Sequence, residues 1–272
     1  QPDPITQFLK GAAMSKNRCY LFFTYWLLLP ATLFSSPKII IAPIDSPTIT
    51  AAVSAASAGD VIFVLPGRYH ESLHLNDGLK LMGARPSNTI VWWDSWNPVI
   101  SPGNNTLISG LTLEQGWFGL EAWYVSNVEI NGNRIIGAWA YGVYPYYASN
   151  IRILNNIIST GFQPYNTPGK AGDGIYGVDS EILVKNNIIF NSNFGICNLG
   201  STISILYNTI SNNGEIGIGM NLNENNSAQI TNNIITENNK SVSPPGIFAI
   251  TISGISDLLM DYNDVWQGNP KR

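Results

Sequence analysis

A repeat of 21 to 31 residues recurs along most of this chain and constrains its fold more than any other feature. Each copy has an apolar-x-apolar stretch, a short turn and then an Asn-x-apolar triplet. The copies place one residue each in a common column: Leu111, Asn133, Asn156, Asn187, Asn208, Asn233 and Asn263. Helix-pair repeats need about 33 residues or more, so a step of about 22 suits one turn of three short strands.

A second motif, Gly followed by an apolar residue, comes after each Asn position. It occurs at Gly119, Gly142, Gly174, Gly195, Gly217 and Gly246. Each repeat is therefore interpreted as strand, Asn turn, strand, Gly turn, strand, with Asn amides bonded along the stack, where Asn also tolerates left-handed backbone. We predict an all-β chain that forms a single-stranded right-handed parallel β-helix. A left-handed β-helix would show a tighter hexapeptide period without insertions such as Gly161–Gly172 and Asn238–Pro245.

The segment before the repeats has the pattern of a cap, which a solenoid needs to cover its apolar end. Ile49, Ala52, Val53 and Ala56 recur at helical spacing and predict a short N-terminal capping helix. The predicted boundaries are a cap at 37–60 and a β-helix at 61–266.

The N-terminus carries the pattern of an export signal. Met14 precedes two basic residues, the apolar run Tyr20–Leu29 and small residues up to Ser36. That order is typical of a cleaved signal peptide, which we predict at 14–36. The run is shorter than the roughly 20 apolar residues of a membrane span, and an uncleaved membrane anchor is the alternative. A secreted, periplasmic or cell-surface location follows.

The two ends are interpreted as follows. Residues 1–13 are taken as an upstream extension that is not native. Residues 267–272 are taken as a truncated tail, after which a C-terminal region is missing.

Charge and metal-ligand content argue against several classes of function. A net charge of -4 with 12% charged residues provides no basic surface for nucleic acid. The two Cys and two His show no zinc-type spacing, so no metal site is predicted. His70 and His74 are predicted to alternate along one short strand near the cap. No cofactor is evident. A Ca²⁺ ion stays open, although no residue pattern supports it.

The segment from Ile49 to Glu71, followed by Leu79-Lys80-Leu81-Met82-Gly83, carries a family pattern. It includes Gly59-Asp60-Val61-Ile62-Phe63-Val64 and then Pro66-Gly67. This pattern resembles the N-terminal part of pectin-lyase-like right-handed parallel β-helix proteins, among them NosD, a periplasmic copper-site maturation protein, and parallel β-helix repeat proteins. The resemblance covers roughly residues 39–266 and implies the fold, which hosts lyases, hydrolases, esterases, epimerases and non-enzymes.

The catalytic signatures of these relatives are absent from the sequence. It lacks the paired aspartates and Gly-His-Gly of polygalacturonases, the Asp-Pro-His-Asp of alginate epimerases and the Leu-Arg-Trp of pectin methylesterases. No catalytic residue is therefore carried over from the family.

An aromatic belt is the strongest feature outside the predicted core. It comprises Trp92, Trp93, Trp96, Trp117, Phe118, Trp123, Tyr124, Trp139, Tyr141, Tyr144, Tyr146 and Tyr147. Aligned Gly columns stack Trp123 over Tyr146 and Tyr124 over Tyr147, and they place Glu121 beside Tyr144. Aromatic faces beside carboxylates suit sugar rings, which stack and hydrogen-bond; packing under loops or a protein interface is the alternative. The predicted substrate-binding residues are Trp117, Trp123, Tyr124, Tyr144, Tyr146, Tyr147 and Tyr176.

Three carboxylates near the belt are the candidate catalytic residues: Glu121, Asp173 and Asp179. Glycoside hydrolysis needs two carboxyls about 5–9 Å apart, and adjacent turns lie about 4.8 Å apart. Asp173 and Asp179 flank the Gly174 strand, beside the insertion Gly161–Gly172, which is predicted to overhang a cleft. Asp173 also fits an ordinary turn residue.

A second carboxylate site is predicted on the first strand of the repeat. There Glu129 lies beside Arg152, with Lys185 one position along on the next turn. A β-elimination lyase would use such a cation and base, and a surface ion pair is the alternative.

Together these features predict an exported β-helix protein that binds a polysaccharide at an aromatic-rich surface. If it also cleaves the chain, it is a polysaccharide lyase or a glycoside hydrolase. One alternative is a non-catalytic adhesion, envelope or scaffold module. A NosD-like metal-site maturation factor ranks last, since Met, His and Cys ligands are few.

Overall fold

The computed structural model of this chain describes residues 36–161, 172–238, 250–254 and 257–266. Within these ranges every strand pairing is parallel, and each strand pairs with strands one turn away, so the chain coils into three sheets. Sheet 1 contains Ile39–Ala42, Val61–Val64, Lys80–Gly83, Leu107–Ser109, Ser126–Asn131, Ser149–Leu154, Glu181–Lys185, Thr202–Leu206, Ser227–Thr231 and Asp257–Asp261. Sheet 2 contains Gly67–His70, Thr89–Trp93, Thr112–Gln115, Arg134–Ile136, Ile157–Ser159, Ile188–Phe190, Thr209–Ser211, Ile234–Thr236 and Asp264–Trp266. Sheet 3 contains Leu73–His74, Ile100–Ser101, Phe118–Trp123, Tyr141–Tyr146, Asp173–Val178, Phe194–Leu199, Ile216–Asn221 and Ile250–Ser253.

Columns of aliphatic side chains from all three sheets fill the solenoid. Strand alternation turns these residues inward, and the register sets each over its equivalent one turn away. The fully buried columns are Ile108, Ile130, Ile153, Val184, Ile205 and Ile230; Leu113, Ile135, Ile158, Ile189, Ile210 and Ile235; and Leu120, Val143, Ile175, Ile196 and Ile218. Because no turn can cover its own apolar face, only stacking buries these residues. The predicted parallel β-solenoid is confirmed.

The asparagine column forms a hydrogen-bonded ladder at the bend from sheet 1 to sheet 2, as predicted. The side-chain oxygen of Asn187 accepts from the backbone N–H of Asn156 at 2.8 Å, and its amide nitrogen donates to the Ile153 carbonyl at 2.8 Å. The same pattern repeats from Asn133 to Asn263. The buried ladder thus satisfies the backbone groups of a bend that lies inside the protein.

The left-handed bend itself falls one residue before the asparagine column, not on it. The residues with positive φ, between 51° and 70°, are Gly110, Gly132, Asn155, Asn186, Tyr207, Asn232 and Tyr262. This preceding residue bends the chain from sheet 1 to sheet 2, and the column Asn is then free to use its amide for bonds between turns.

The five described glycines that were assigned to turns are strand residues, so that part of the prediction is wrong; Gly246 lies outside the described residues. Gly119, Gly142, Gly174 and Gly195 are each the second residue of a sheet 3 strand. A Cβ on Gly142 would lie 2.5 Å from the carbonyl oxygen of Gly174. Glycine is required because the backbones of neighbouring turns approach too closely for a side chain.

A short helix, Ile49–Ala55, covers the first turn, as the predicted cap requires. It buries Ile49, Ala52 and Val53. Its first N–H groups donate to Glu71, at 3.0 Å from Ile49 and 2.8 Å from Thr50. Glu71 stands at the corner between two strands. His70 therefore ends a strand of sheet 2 and His74 a strand of sheet 3, and the prediction of one shared strand is wrong.

Several predicted segments lie outside the described residues. These are the upstream extension 1–13, the signal peptide 14–36 except Ser36, the tail 267–272 and nearly all of both insertions. The first strand, Ile39–Ala42, belongs to sheet 1 although it falls within the predicted cap. Among the described residues, no helix has the length and apolarity that a membrane crossing needs.

Candidate functional site

The outer face of sheet 3 carries three columns of side chains. In the strand Phe118–Trp123, Leu120 and Ala122 are buried, so alternation turns Glu121 and Trp123 outward. Alternation breaks at the buried Gly119, and Phe118 lies on the same outer face, where its ring contacts Tyr144. The register extends these positions to later turns. The first column is Phe118, Tyr141, Asp173 and Phe194; the second is Glu121, Tyr144, Tyr176 and Cys197; the third is Trp123, Tyr146, Val178 and Leu199.

Aromatic rings on this face form one unbroken network of contacts. Tyr141 and Tyr176 stack with centroids 4.3 Å apart, and Phe118 lies 5.0 Å from Tyr144. Trp123 meets Tyr146 edge to face at 5.3 Å, the register partner predicted from the sequence. The network runs from one side of the sheet to the other through Trp96, Trp139, Trp117, Phe118, Tyr141, Tyr144, Tyr176, Tyr146, Trp123, Tyr124 and Tyr147.

This network, here called the belt, differs from the sequence-predicted belt at one end. Trp92 and Trp93 lie on sheet 2, where both rings contact His70, at 4.1 and 4.9 Å. They are close to the other aromatics in sequence but on a different face of the solenoid. Tyr176 joins the belt from the following turn.

All seven predicted substrate-binding side chains belong to the belt. Its rim is open to solvent: the exposed fraction is 70% for Trp96, 53% for Trp123, 64% for Tyr124 and 47% for Tyr147. Its middle is half-buried, and there burial raises the pKa of Tyr144 to about 12, together with Tyr146, Tyr176 and Glu121 nearby. The Tyr144 phenol therefore stays a neutral hydrogen-bonding group at physiological pH.

Asp173 opens the strand after the belt's central tyrosines. Its Oδ1 accepts from the backbone N–H of Phe194 at 3.1 Å. Burial raises the pKa of Asp173 to about 7; the Phe194 bond acts against that shift, and Glu215 adds to it. Glu215 precedes Ile216, which pairs with Phe194, and burial raises its pKa as well. Asp173 thus has an acidic neighbour and holds its proton up to neutral pH.

Cys197 lies near these two acids, and its thiol stays protonated at neutral pH. Burial, with Asp173 and Glu215, raises the pKa of its thiol to about 12. Glu121 is a third carboxyl on this face, paired in register with Tyr144, and burial raises its pKa too.

Asp179 lies apart from Asp173, at the other end of the strand Asp173–Val178. It occupies a left-handed turn with φ 42° and is exposed. Its hydrogen bond with Tyr147 raises the pKa of that phenol. Tyr147, Asp179, Glu181 and Thr202 line an open cleft of about 430 Å³ at this edge of the belt.

The structure thus brings Asp173 together with Glu215, which was not among the predicted catalytic residues. Asp179 is instead joined to the aromatic rim. The sequence did hold a signal for Glu215. Extending the first outer column by one turn reaches Ile216, and Glu215, the residue before it, then falls near Asp173.

The predicted pair on sheet 1 is present. Glu129 and Arg152 are register partners, and their side chains form an ion pair at 3.3 Å. Both are partly exposed on a sheet other than the one that carries the belt. Within the described ranges, no group of three or more His, Cys, Asp or Glu side chains is arranged to hold a metal ion.

Comparison with known proteins agrees with this architecture. A family model described as "Right handed beta helix region" matches residues 85–201. The chain is a right-handed parallel β-helix. The resemblance to pectin-lyase-like β-helix proteins is thereby confirmed at the level of the fold. No curated protein matches the sequence.

Solved structures share the β-helix at low identity. The surface adhesin PfbA of Streptococcus pneumoniae is 12% identical, with a TM-score of 0.52 over 71% of this β-helix chain and 59% of the adhesin. Pectate lyase Pel9A is 12% identical, with a TM-score of 0.50 over 84% and 78%. An alginate lyase from Paenibacillus sp. str. FPU-7 is 12% identical, with a TM-score of 0.46 over 85% and 98%. Identities this low show the fold alone.

Proposed function

We propose that this β-helix binds a polysaccharide outside the cell through the belt on sheet 3. The observation that carries the proposal is the unbroken ring network whose rim, at Trp123, Tyr124 and Tyr147, is open to solvent. Soluble proteins rarely expose a contiguous apolar surface unless that surface binds a partner or a ligand.

Sugars fit the chemistry of this surface. The apolar face of a hexose stacks on an aromatic ring, and its hydroxyls hydrogen-bond to neighbouring phenols and carboxyls. Tyr144 and Tyr146 present such phenols, and Glu121 and Asp179 present such carboxyls at the middle and the rim. Since the rings extend over four turns of the helix, they would contact several sugar units of one chain.

We also propose that the site hydrolyses the bound chain, with Asp173 as the general acid. A carboxyl that keeps its proton near neutral pH can transfer it to the glycosidic oxygen as the C–O bond breaks. A water molecule then attacks the sugar carbon and gives its proton to an ionised carboxylate. Glu215 and Glu121 are the candidates for that base, and Asp179 is assigned to binding.

Binding is tested with a panel of polysaccharides and the variants Trp123→Ala and Tyr146→Ala. Each variant should bind at least about tenfold more weakly than the unaltered protein, since one stacked ring contributes about 1–3 kcal/mol. Tyr262→Ala, an exposed ring on the last turn, is the control and should bind normally. A folded protein that binds no polysaccharide would refute the proposal and favour a non-catalytic adhesion or scaffold role.

Hydrolysis is tested by the release of reducing ends from a polysaccharide that binds. Asp173→Asn should lower the rate by about 100-fold or more while binding is retained. Asp179→Asn should weaken binding without that loss of turnover. Binding without any reducing ends between about pH 5 and 8 would exclude hydrolysis and leave the binding function.

A further inference from the structure

The distribution of charge around the belt restricts which polysaccharide it can bind. The acidic residues Glu121, Asp173 and Glu215 lie on or beside the outer face of sheet 3, and Asp179 lies at its edge. All four lie within the site or on its border. A ligand in the belt would therefore meet carboxyl groups at several positions along its length.

The lysines and arginines that the structure describes are on the other faces. Among the described residues, the lysines and arginines belong to sheet 1, to sheet 2 or to the segments next to sheet 1: Lys38, Arg68, Lys80, Arg85, Arg134, Arg152 and Lys185. Arg68 and Arg152 are already paired with Glu114 and Glu129. Within the same ranges, sheet 3 and the turns that flank it contain no lysine or arginine, and His74 in the first strand is the one basic side chain of the sheet.

A uronate polymer is a poor ligand for such a surface. Each uronate carries a carboxylate, which loses water contact on an aromatic surface and needs a cationic partner in compensation. Here its neighbours are carboxyls, and like charges at close range in a partly buried site repel strongly. An uncharged hexose has no such penalty, because its hydroxyls donate to the same carboxylates that would repel a uronate.

We propose that the polysaccharide bound at the belt is built of uncharged hexoses and not of uronates, a proposal that rests on the proposed function. It follows that cleavage there is hydrolysis. β-Elimination requires a uronate, whose carboxylate makes the neighbouring C–H acidic, and a cation to neutralise it. The belt offers acids suited to hydrolysis and, among the described residues, no lysine or arginine suited to elimination.

The test uses matched polymers that differ only in charge. Neutral glucans, mannans and galactans are each compared with their C6-oxidised forms, in which hexoses have become uronates. Binding is measured at about pH 7.5, where histidines are mainly neutral, with CaCl₂ and separately with a chelator. At least one neutral polymer should bind, and its oxidised form should bind at least about tenfold more weakly in both conditions.

Variants that remove a carboxylate test whether the acidic residues near sheet 3 cause the preference for the neutral polymer. In the double variant Glu121→Gln/Glu215→Gln, the ratio between neutral and oxidised polymer should fall to about threefold or less. Glu129→Gln removes one acid on sheet 1 and should leave the ratio unchanged.

The possible results separate the two proposals. Tighter binding of oxidised polymers, with or without Ca²⁺, would overturn the assignment to uncharged hexoses while the polysaccharide-binding function stands. The assignment would also be overturned if the double variant kept the same ratio between the binding of neutral and oxidised polymer. No binding to any polymer would refute the binding function itself, and this inference with it.

Discussion

The ring of Tyr141 stacks on the ring of Tyr176 with centroids 4.3 Å apart and planes inclined by 10°. The strand register places Tyr141 opposite Asp173, so this contact is diagonal, from the first outer column of sheet 3 to the second. Both rings lie within electrostatic reach of Asp173. The stacked pair therefore links the binding surface to the acid.

Two exposed tyrosines in left-handed turns give a matched test of the belt. Tyr124, φ 51°, belongs to it, whereas Tyr207, φ 58°, lies between sheets 1 and 2 and packs near Lys185. Tyr124→Asn should weaken polysaccharide binding by about tenfold or more, because three ring contacts and a stacking surface are lost. Titration with a polymer that binds measures this change.

Tyr207→Asn is the control for that substitution. Asn is accommodated at the same bend in other turns, at Asn155, Asn186 and Asn232, so stability should change little. If both variants bound equally well, the rim of the belt would have no role in recognition.

The sequence predicted the stacking of Trp123 on Tyr146 because alternation and repeat period together determine which residues share a column. It did not predict that Trp92 and Trp93 lie elsewhere. Closeness in sequence does not say which of three faces a side chain occupies, and the corner at Trp96 moves the chain from sheet 2 to sheet 3.

The positions of the acidic side chains could likewise be predicted only in part from the sequence. Glu121 follows strand periodicity and falls on the predicted face. Asp173 lies on the same face although it shares the strand parity of the buried Ile175, so periodicity alone does not determine its direction. Glu215 lies in a turn, where no periodicity determines the side-chain direction, and its closeness to Asp173 depends on the packing of three turns. The Gly column was found but misread, since a sequence alone does not distinguish a glycine needed for a turn from one needed for close backbone approach.

Loss of one ladder amide should destabilise the solenoid strongly. Asn187→Ala removes the acceptor of the Asn156 N–H and the donor to the Ile153 carbonyl, both buried. We expect the free energy of unfolding to fall by about 3–5 kcal/mol, since each unsatisfied buried group costs about 1–3 kcal/mol. Urea denaturation followed by circular dichroism measures the change.

Asn263, at the far end of the described ladder, provides a less buried position to compare with Asn187. Asn263 is half-buried, so Asn263→Ala should cost about 1–2 kcal/mol. Equal losses in the two variants would indicate that burial does not determine the strength of the ladder.

Substitutions at two glycines distinguish the two reasons for which this fold needs glycine: close approach of neighbouring backbones and a left-handed turn. A Cβ on Gly142 would lie 2.5 Å from the Gly174 oxygen and 2.8 Å from Ile158 Cγ2. Gly142→Ala should therefore cost about 3 kcal/mol or more, because neighbouring strands must move apart, and it should also displace Tyr141.

Gly132, at φ 66°, has nothing within 4 Å of a Cβ. Gly132→Ala should cost about 1 kcal/mol, from backbone conformation alone. Thermal unfolding ranks the two variants, and a larger loss for Gly132→Ala would contradict the role assigned to the glycine column.

The raised pKa of Asp173 predicts a pH-dependent cost of stability. In the unfolded chain this carboxyl ionises near its ordinary value of 3.8, whereas the folded chain holds the proton up to about pH 7. Between these values the folded state binds more protons, so the contribution of Asp173 to stability falls as pH rises and its full cost is present above pH 7.

Asparagine cannot ionise and keeps an oxygen that can accept from the Phe194 N–H. Asp173→Asn should therefore stabilise the protein by about 1–3 kcal/mol at pH 8 and change stability little at pH 4, as measured by urea denaturation. An equal change at both pH values would mean that Asp173 is ionised in the folded protein, and the proposed general acid would lose its proton before the reaction began.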